Sequence, residues 1–101
     1  MKRILLCCSA GMSTSMLVKK MQEAADKQGL ECKIDALSVS AFEDAVSNYD
    51  VCLLGPQVRF QLEEMKKVTD RIGINIAAIP PQAYGMMKGD AVLKQALELI
   101  K

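Results

Sequence analysis

With 101 residues, half of them apolar and a quarter charged, the chain is long enough for one small soluble domain with a core of its own. Thirteen basic residues face twelve acidic ones, and the only aromatics are two tyrosines and two phenylalanines. That excludes the basic footprint and stacking platforms of a nucleic-acid binder, and any strong pull toward anionic lipid.

Residues 1–3, Met-Lys-Arg, run into the apolar residues 4–8, which mimics the start of a signal peptide. Ser9 ends the run below the roughly 7–15 residues of such a segment and far below the ~20 needed to cross a membrane. The expectation is a cytoplasmic protein without membrane insertion, with Cys7, Cys8, Cys32 and Cys52 kept as thiols. None of the four stands in C-x-x-C spacing, so no metal and no other cofactor is expected. Histidine is absent, which excludes a Cys–His dyad, a Ser–His–Asp triad, a histidine general base and a phosphohistidine on this chain.

Residues 3–7, RILLC, are apolar without alternation and predict a strand buried on both faces. Leu17, Met21, Ala24 and Gln28 recur at helical spacing across 14–28, and Gly29 supplies the stop. Residues 31–37, ECKIDAL, alternate more and predict a strand at a sheet edge. Ser40 and Glu43 read as a capping box for a short helix with Phe42, Ala45 and Val46 inward. DVCLLG, 50–55, predicts a third strand. Residues 56–73 read as one helix with Val58, Leu62, Met65 and Ile72 on a stripe, closed by Gly73. INIAAIP, 74–80, is the fourth strand, broken by Pro80 and Pro81, and a loop runs to Gly89. Asp90 reads as the N-cap of a last helix carrying Leu93, Ala96, Leu97 and Ile100 inward. The seven methionines fall mostly on these stripes and read as core, Met12 excepted. Cys32 and Cys52 lie within strands and read as packing residues.

The alternation βαβαβαβα predicts an α/β fold: one domain over 1–101, with a four-stranded parallel sheet of order 2-1-3-4 and helices on both faces. In that order the switch point lies between strands 1 and 3. Loops 8–15 and 55–59 meet there, with loop 80–89 beside them. Cys8 is expected as the first residue out of strand 1, in the crevice. Cys7, the last strand residue, is expected to point into the core.

Loop 8–15 joins a buried strand to a helix N-terminus, where free N–H groups and the helix dipole favour an anion. Gly11 permits a tight turn, and the N–H groups of Ser9, Ala10, Gly11, Met12, Ser13, Thr14 and Ser15 can converge into a nest, with four hydroxyls as further donors. A thiol at such a place is favoured as thiolate, a good nucleophile. Attack on phosphorus would form a cysteinyl phosphate held by the same N–H groups. Met12 projects from the loop, either as an apolar rim for a partner or as loop packing. Gln57 and Arg59 lie in the second loop. Arg59 could reach a phosphoryl group or a partner's carboxylate, although an exposed helix arginine is the commoner outcome. Tyr84, in the third loop, serves either a docking surface or a structural turn.

The loop does not match a Walker sequence. It resembles the Cys-x5-Arg loop of low-molecular-weight tyrosine phosphatases, whose topology is also similar, but Thr14 stands where those enzymes have arginine. Their aspartate general acid has no counterpart in PPQAYG. The parts for capturing a phosphoryl group are present and those for fast hydrolysis are missing, which suits a carrier. CCSAGMSTSMLVKKM and DVCLLGPQVRFQLEEM resemble the enzyme IIB component of the lactose/cellobiose class of the bacterial phosphoenolpyruvate:sugar phosphotransferase system, across essentially the whole chain. That resemblance implies a phosphocarrier whose cysteine, here Cys8, takes a phosphoryl group from a histidine of enzyme IIA. It then passes the group to a sugar bound in the membrane component, enzyme IIC. Other readings stay open on the residues alone: a phosphatase-like hydrolase, a thiol redox module using Cys7 as resolving thiol, and a plain anion-binding module.

Overall fold

The structure is a computed structural model and describes residues 1–9 and 12–100. Four parallel strands, β1 (Lys2–Cys8), β2 (Cys32–Ser38), β3 (Val51–Leu54) and β4 (Asn75–Ala78), lie in the order β2-β1-β3-β4. Leu6 pairs with Ala36 on one side and Leu53 on the other, and Leu53 pairs in turn with Ala77. The predicted order therefore stands, with β2 at an edge. Helices α1 (Met12–Lys27), α2 (Phe42–Ala45) and α3 (Leu62–Ile72) lie in the crossovers, and α4 (Pro81–Gly85) and α5 (Gly89–Leu99) follow β4 and share the core on the α1 side.

Successive residues of a strand face opposite sides, so β1 supplies two cores. Ile4 and Leu6 pack with Leu17 and Met21 of α1 and with Leu93 and Ala96 of α5. Leu5 and Cys7 pack with Phe42, Val46, Val58 and Met65 on the α2/α3 side. Burying such an aliphatic side chain contributes about 1.5–3 kcal/mol. Cys32 and Cys52 are buried in these cores as expected.

The helix ends follow from single residues. Gly29, at φ +68, closes α1 in the left-handed conformation; Leu30 N–H donates to Ala25 O and Gly29 N–H to Asp26 O. This paired arrangement satisfies two carbonyls of the last turn. Met87 takes the same role after α4 at φ +51, with Lys88 N–H donating to Ala83 O and Met87 N–H to Tyr84 O.

Several local expectations need correction. Ala25, not Gln28, completes the buried stripe of α1, because α1 ends at Lys27 and Gln28 lies exposed in the turn. No capping box forms at Ser40. A 3-10 turn, Val39–Ala41, leads straight into α2, and the Ser40 hydroxyl pairs with that of Ser38 at 2.7 Å. Residues 56–73 are not one helix. A 3-10 segment, Pro56–Gln61, kinks at Val58 (φ −120, ψ 15) before α3 begins. On α3 the buried partner of Met65 is Thr69, whose hydroxyl donates to Lys66 O, while Ile72 is 41% exposed. Loop 80–89 contains α4, started by Pro81 with its preset φ. Asp90 sits inside the first turn of α5, not at its cap, which is Lys88; its carboxylate accepts from Ala91 N–H at 2.9 Å. Among the methionines whose side chains are described, only Met21 and Met65 are buried, whereas Met1, Met16 and Met86 are exposed.

Candidate functional site

Cys8 is the last residue of β1 rather than the first beyond it. The ladder runs one residue further than expected, because Cys8 still pairs with Ser38 of β2. Its side chain is 2% exposed and that of Cys7 is 0%, so burial does not separate the two thiols. The face of the sheet does. Cys7 points to the α2/α3 core. There it hydrogen-bonds Cys52, and that bond together with burial pushes the Cys52 thiol well above the ordinary thiol range. Cys8 takes the opposite face, at the carboxyl end of the strand, where the chain turns toward the start of α1. The four cysteines are unbridged. Cys32 begins β2 at the far end of the sheet. No described cysteine shares the place of Cys8, which leaves the redox reading without a resolving thiol.

The flanks of Cys8 come from two other strands. On the β2 side stands Ser38, its partner in the ladder, so both side chains share a face about 4.8 Å apart. On the β3 side stands Gly55, whose N–H donates to Cys7 O at 2.8 Å. A β-carbon built on Gly55 would lie 3.4 Å from Cys8 Cβ. The expected switch point between β1 and β3 is therefore where Cys8 stands.

Thr14 does not face the crevice. It lies in the first turn of α1, fully buried, and its hydroxyl shares a 3.2 Å hydrogen bond with that of Tyr84 on α4. The position where the resembling phosphatases have arginine is thus filled by a short side chain tied inward. Tyr84, 7% exposed, is buried at this contact, which favours the structural-turn alternative, and it ties α1 to α4. Tyr84→Phe is expected to cost about 1–3 kcal/mol, since it strands a buried hydroxyl. A double-mutant cycle with Thr14→Val, read by urea unfolding, should return a coupling energy of at least about 0.5 kcal/mol.

Ser9 and Ser15 are exposed at the mouth, as are Gln57 and Arg59 on the segment after β3. Ala10 and Gly11, and the side chains of Met12 and Ser13, lie outside the described residues. Two residues of the site were not found by sequence reasoning. Ser38 needed the β1–β2 register, and Gly55 needed the distance across to Cys8. The only signal for Gly55 was its place in the G-P-Q turn.

The family model for the lactose/cellobiose-specific IIB subunit of the PTS system matches residues 3–95. The oligo-beta-mannoside-specific EIIB component of Bacillus subtilis is 42% identical over 99% of this chain and 97% of its own. The galactose-specific EIIB component of Lactococcus lactis subsp. cremoris is 43% identical over 98% of this chain and 96% of its own. The lactose-specific IIB domain structure from Streptococcus pneumoniae superimposes with a TM-score of 0.90 at 25% identity, covering 99% of this chain and 98% of that one. A phosphatase-like topology without the phosphatase arginine thus finds its relatives among carriers: the chain belongs to the lactose/cellobiose-specific IIB subunits of the PTS system, phosphotransferase components that carry a phosphoryl group in sugar uptake.

Proposed function

We propose that Cys8 is the residue that carries the phosphoryl group, loaded by the IIA component and unloaded to a sugar held by the membrane component IIC. The observation that carries this reading is the position of Cys8 at the carboxyl end of β1, between Ser38 and Gly55 and ahead of α1, on the face away from Cys7. In the first step the thiolate sulfur gives an electron pair to the phosphorus of a phosphohistidine. The P–N bond breaks, its electron pair returns to the imidazole, and the ring takes a proton. In the second step a sugar hydroxyl oxygen attacks the same phosphorus. The P–O bond forms as the P–S bond breaks, the hydroxyl gives up its proton, and the thiolate is restored. Both are in-line displacements aided by positioning and by donors aimed at the phosphoryl oxygens. Backbone N–H groups of residues 9–15 are the donors this reading assigns, with the neighbouring hydroxyls as helpers. No metal or nucleotide takes part.

Two partners must use one mouth in turn, so the rim should offer apolar anchors without strong charge. Met16 on α1, Phe60 after β3 and Met86 after α4 are 58%, 78% and 64% exposed, on segments that follow β1, β3 and β4 in the chain. Large apolar side chains left in water suit transient docking. No helix among the described residues is long and apolar enough to cross a membrane. The relatives above are named for different sugars, which fits selectivity residing in IIC.

The test is an intact-mass measurement after incubation with the general phosphotransferase proteins, a IIA component and phosphoenolpyruvate. The expected result is one added phosphoryl group, recovered on the peptide that contains Cys8. Steady hydrolysis of an aryl phosphate by the isolated protein, with no stable mass increase, would favour the phosphatase reading instead.

A further inference from the structure

Gly55 has an ordinary extended backbone, φ −61 and ψ 150, which any residue could adopt. The absent side chain leaves a space there that the end of the Gln57 side chain occupies. A β-carbon would stand 2.7 Å from Gln57 Oε1, as well as 3.4 Å from Cys8 Cβ. The Gln57 side chain curls back over the bare Cα of Gly55, toward Cys8, although its residue is exposed on the turn after β3. Among the described residues its carboxamide makes no hydrogen bond. A polar group that could extend into water instead lies over Gly55, the residue beside Cys8.

We propose that Gln57 is a catalytic residue of this carrier, its carboxamide donating a hydrogen bond to a non-bridging oxygen of the phosphoryl group on Cys8. The proposal rests on Cys8 being the acceptor. A half-turn of the terminal torsion exchanges the carboxamide oxygen and NH2, so two donors are available to an anion at this place. The group then lies between donors from the β1–α1 side and one donor from the β3 side. A carboxamide contributes dipole without charge. It steadies the phosphoryl oxygens less tightly than a bidentate guanidinium would, which keeps the group available for the next acceptor. Gly55 is the space that lets this side chain reach.

The experiment loads wild-type protein, Gln57→Ala and Gln57→Glu through IIA and follows the isolated phosphoproteins by phosphorus NMR. Gln57 is exposed, so both variants should melt like the wild type. A displaced phosphocysteine resonance is expected in both variants. The loaded fraction at equilibrium with the donor should fall roughly tenfold in Gln57→Ala, and further in Gln57→Glu, where a carboxylate of the same shape faces the anion. A docking role alone would change the donor concentration needed for half-maximal rate and leave the resonance of the isolated carrier in place; that result overturns the proposal. Unchanged resonance and loading in both variants, with wild type loaded on Cys8, would overturn it while leaving the Cys8 assignment intact. Absence of phosphocysteine in the wild type would remove both.

Discussion

Cys8→Ser is expected to fold as the parent does and to gain no phosphoryl mass, whereas Cys7→Ser is expected to gain it and to be less stable. The two neighbours differ by the face they take. Cys8 stands where β1 ends, against Gly55, and a hydroxyl there meets the mouth of the site. A serine hydroxyl stays protonated without an adjacent base, and no histidine exists on this chain to act as one. Cys7 sits among Leu5, Phe42, Val46 and Leu54 and bonds the Cys52 thiol. A hydroxyl in that apolar setting costs about 1–3 kcal/mol. Intact-mass spectrometry reads the first effect and urea unfolding the second. Phosphoryl gain by Cys8→Ser would sink the assignment of Cys8.

The second large effect is on stability. Gly89→Ala places a β-carbon on the backbone carbonyl carbon of Lys20, and 2.7 Å from both its Cβ and its carbonyl oxygen. Alanine would otherwise be favoured in a helix by up to ~1 kcal/mol over glycine. The clash is with backbone, which cannot rotate away, so α5 must lift from α1. That loosens Val92, Leu93 and Ala96, all buried on the α1 side of the sheet. Overpacking of this kind costs about 1–3 kcal/mol, and the net loss should lower Tm by several degrees, since each kcal/mol is worth about 4–8 °C in a domain of this size. Thermal unfolding followed by circular dichroism checks it. A Tm equal to or above the parent's would show that the α1–α5 approach is not as close as described.

The sheet was legible in the sequence because its inner strands are buried on both faces, so ILLCC and VCLL stand out as apolar runs bounded by turn residues. The order followed from the handedness of crossovers, and the proposed position of the site followed from the order. What was not legible depended on contacts across space. Thr69 occupies the stripe position expected of an apolar residue, and only its bond to Lys66 O shows how a hydroxyl can be buried there. Thr14 reads as a loop donor until Tyr84, seventy residues on, is seen to hold it. Pro56 opens a helical pattern correctly, but the kink at Val58 has no mark in the periodicity. Gly55 looks like a turn glycine, and its use as clearance beside Cys8 emerges only from distances.

That Cys8 remains in the ladder, paired with Ser38, has a consequence for turnover. Ordering a backbone residue costs roughly 1–2 kcal/mol of entropy, and here that cost is met once, when the sheet forms. On the proposed role of Cys8, each handover then begins from an acceptor already aimed. Preorganisation of this kind lets a short-lived encounter succeed without a conformational step, as the proposed handover between two partners requires.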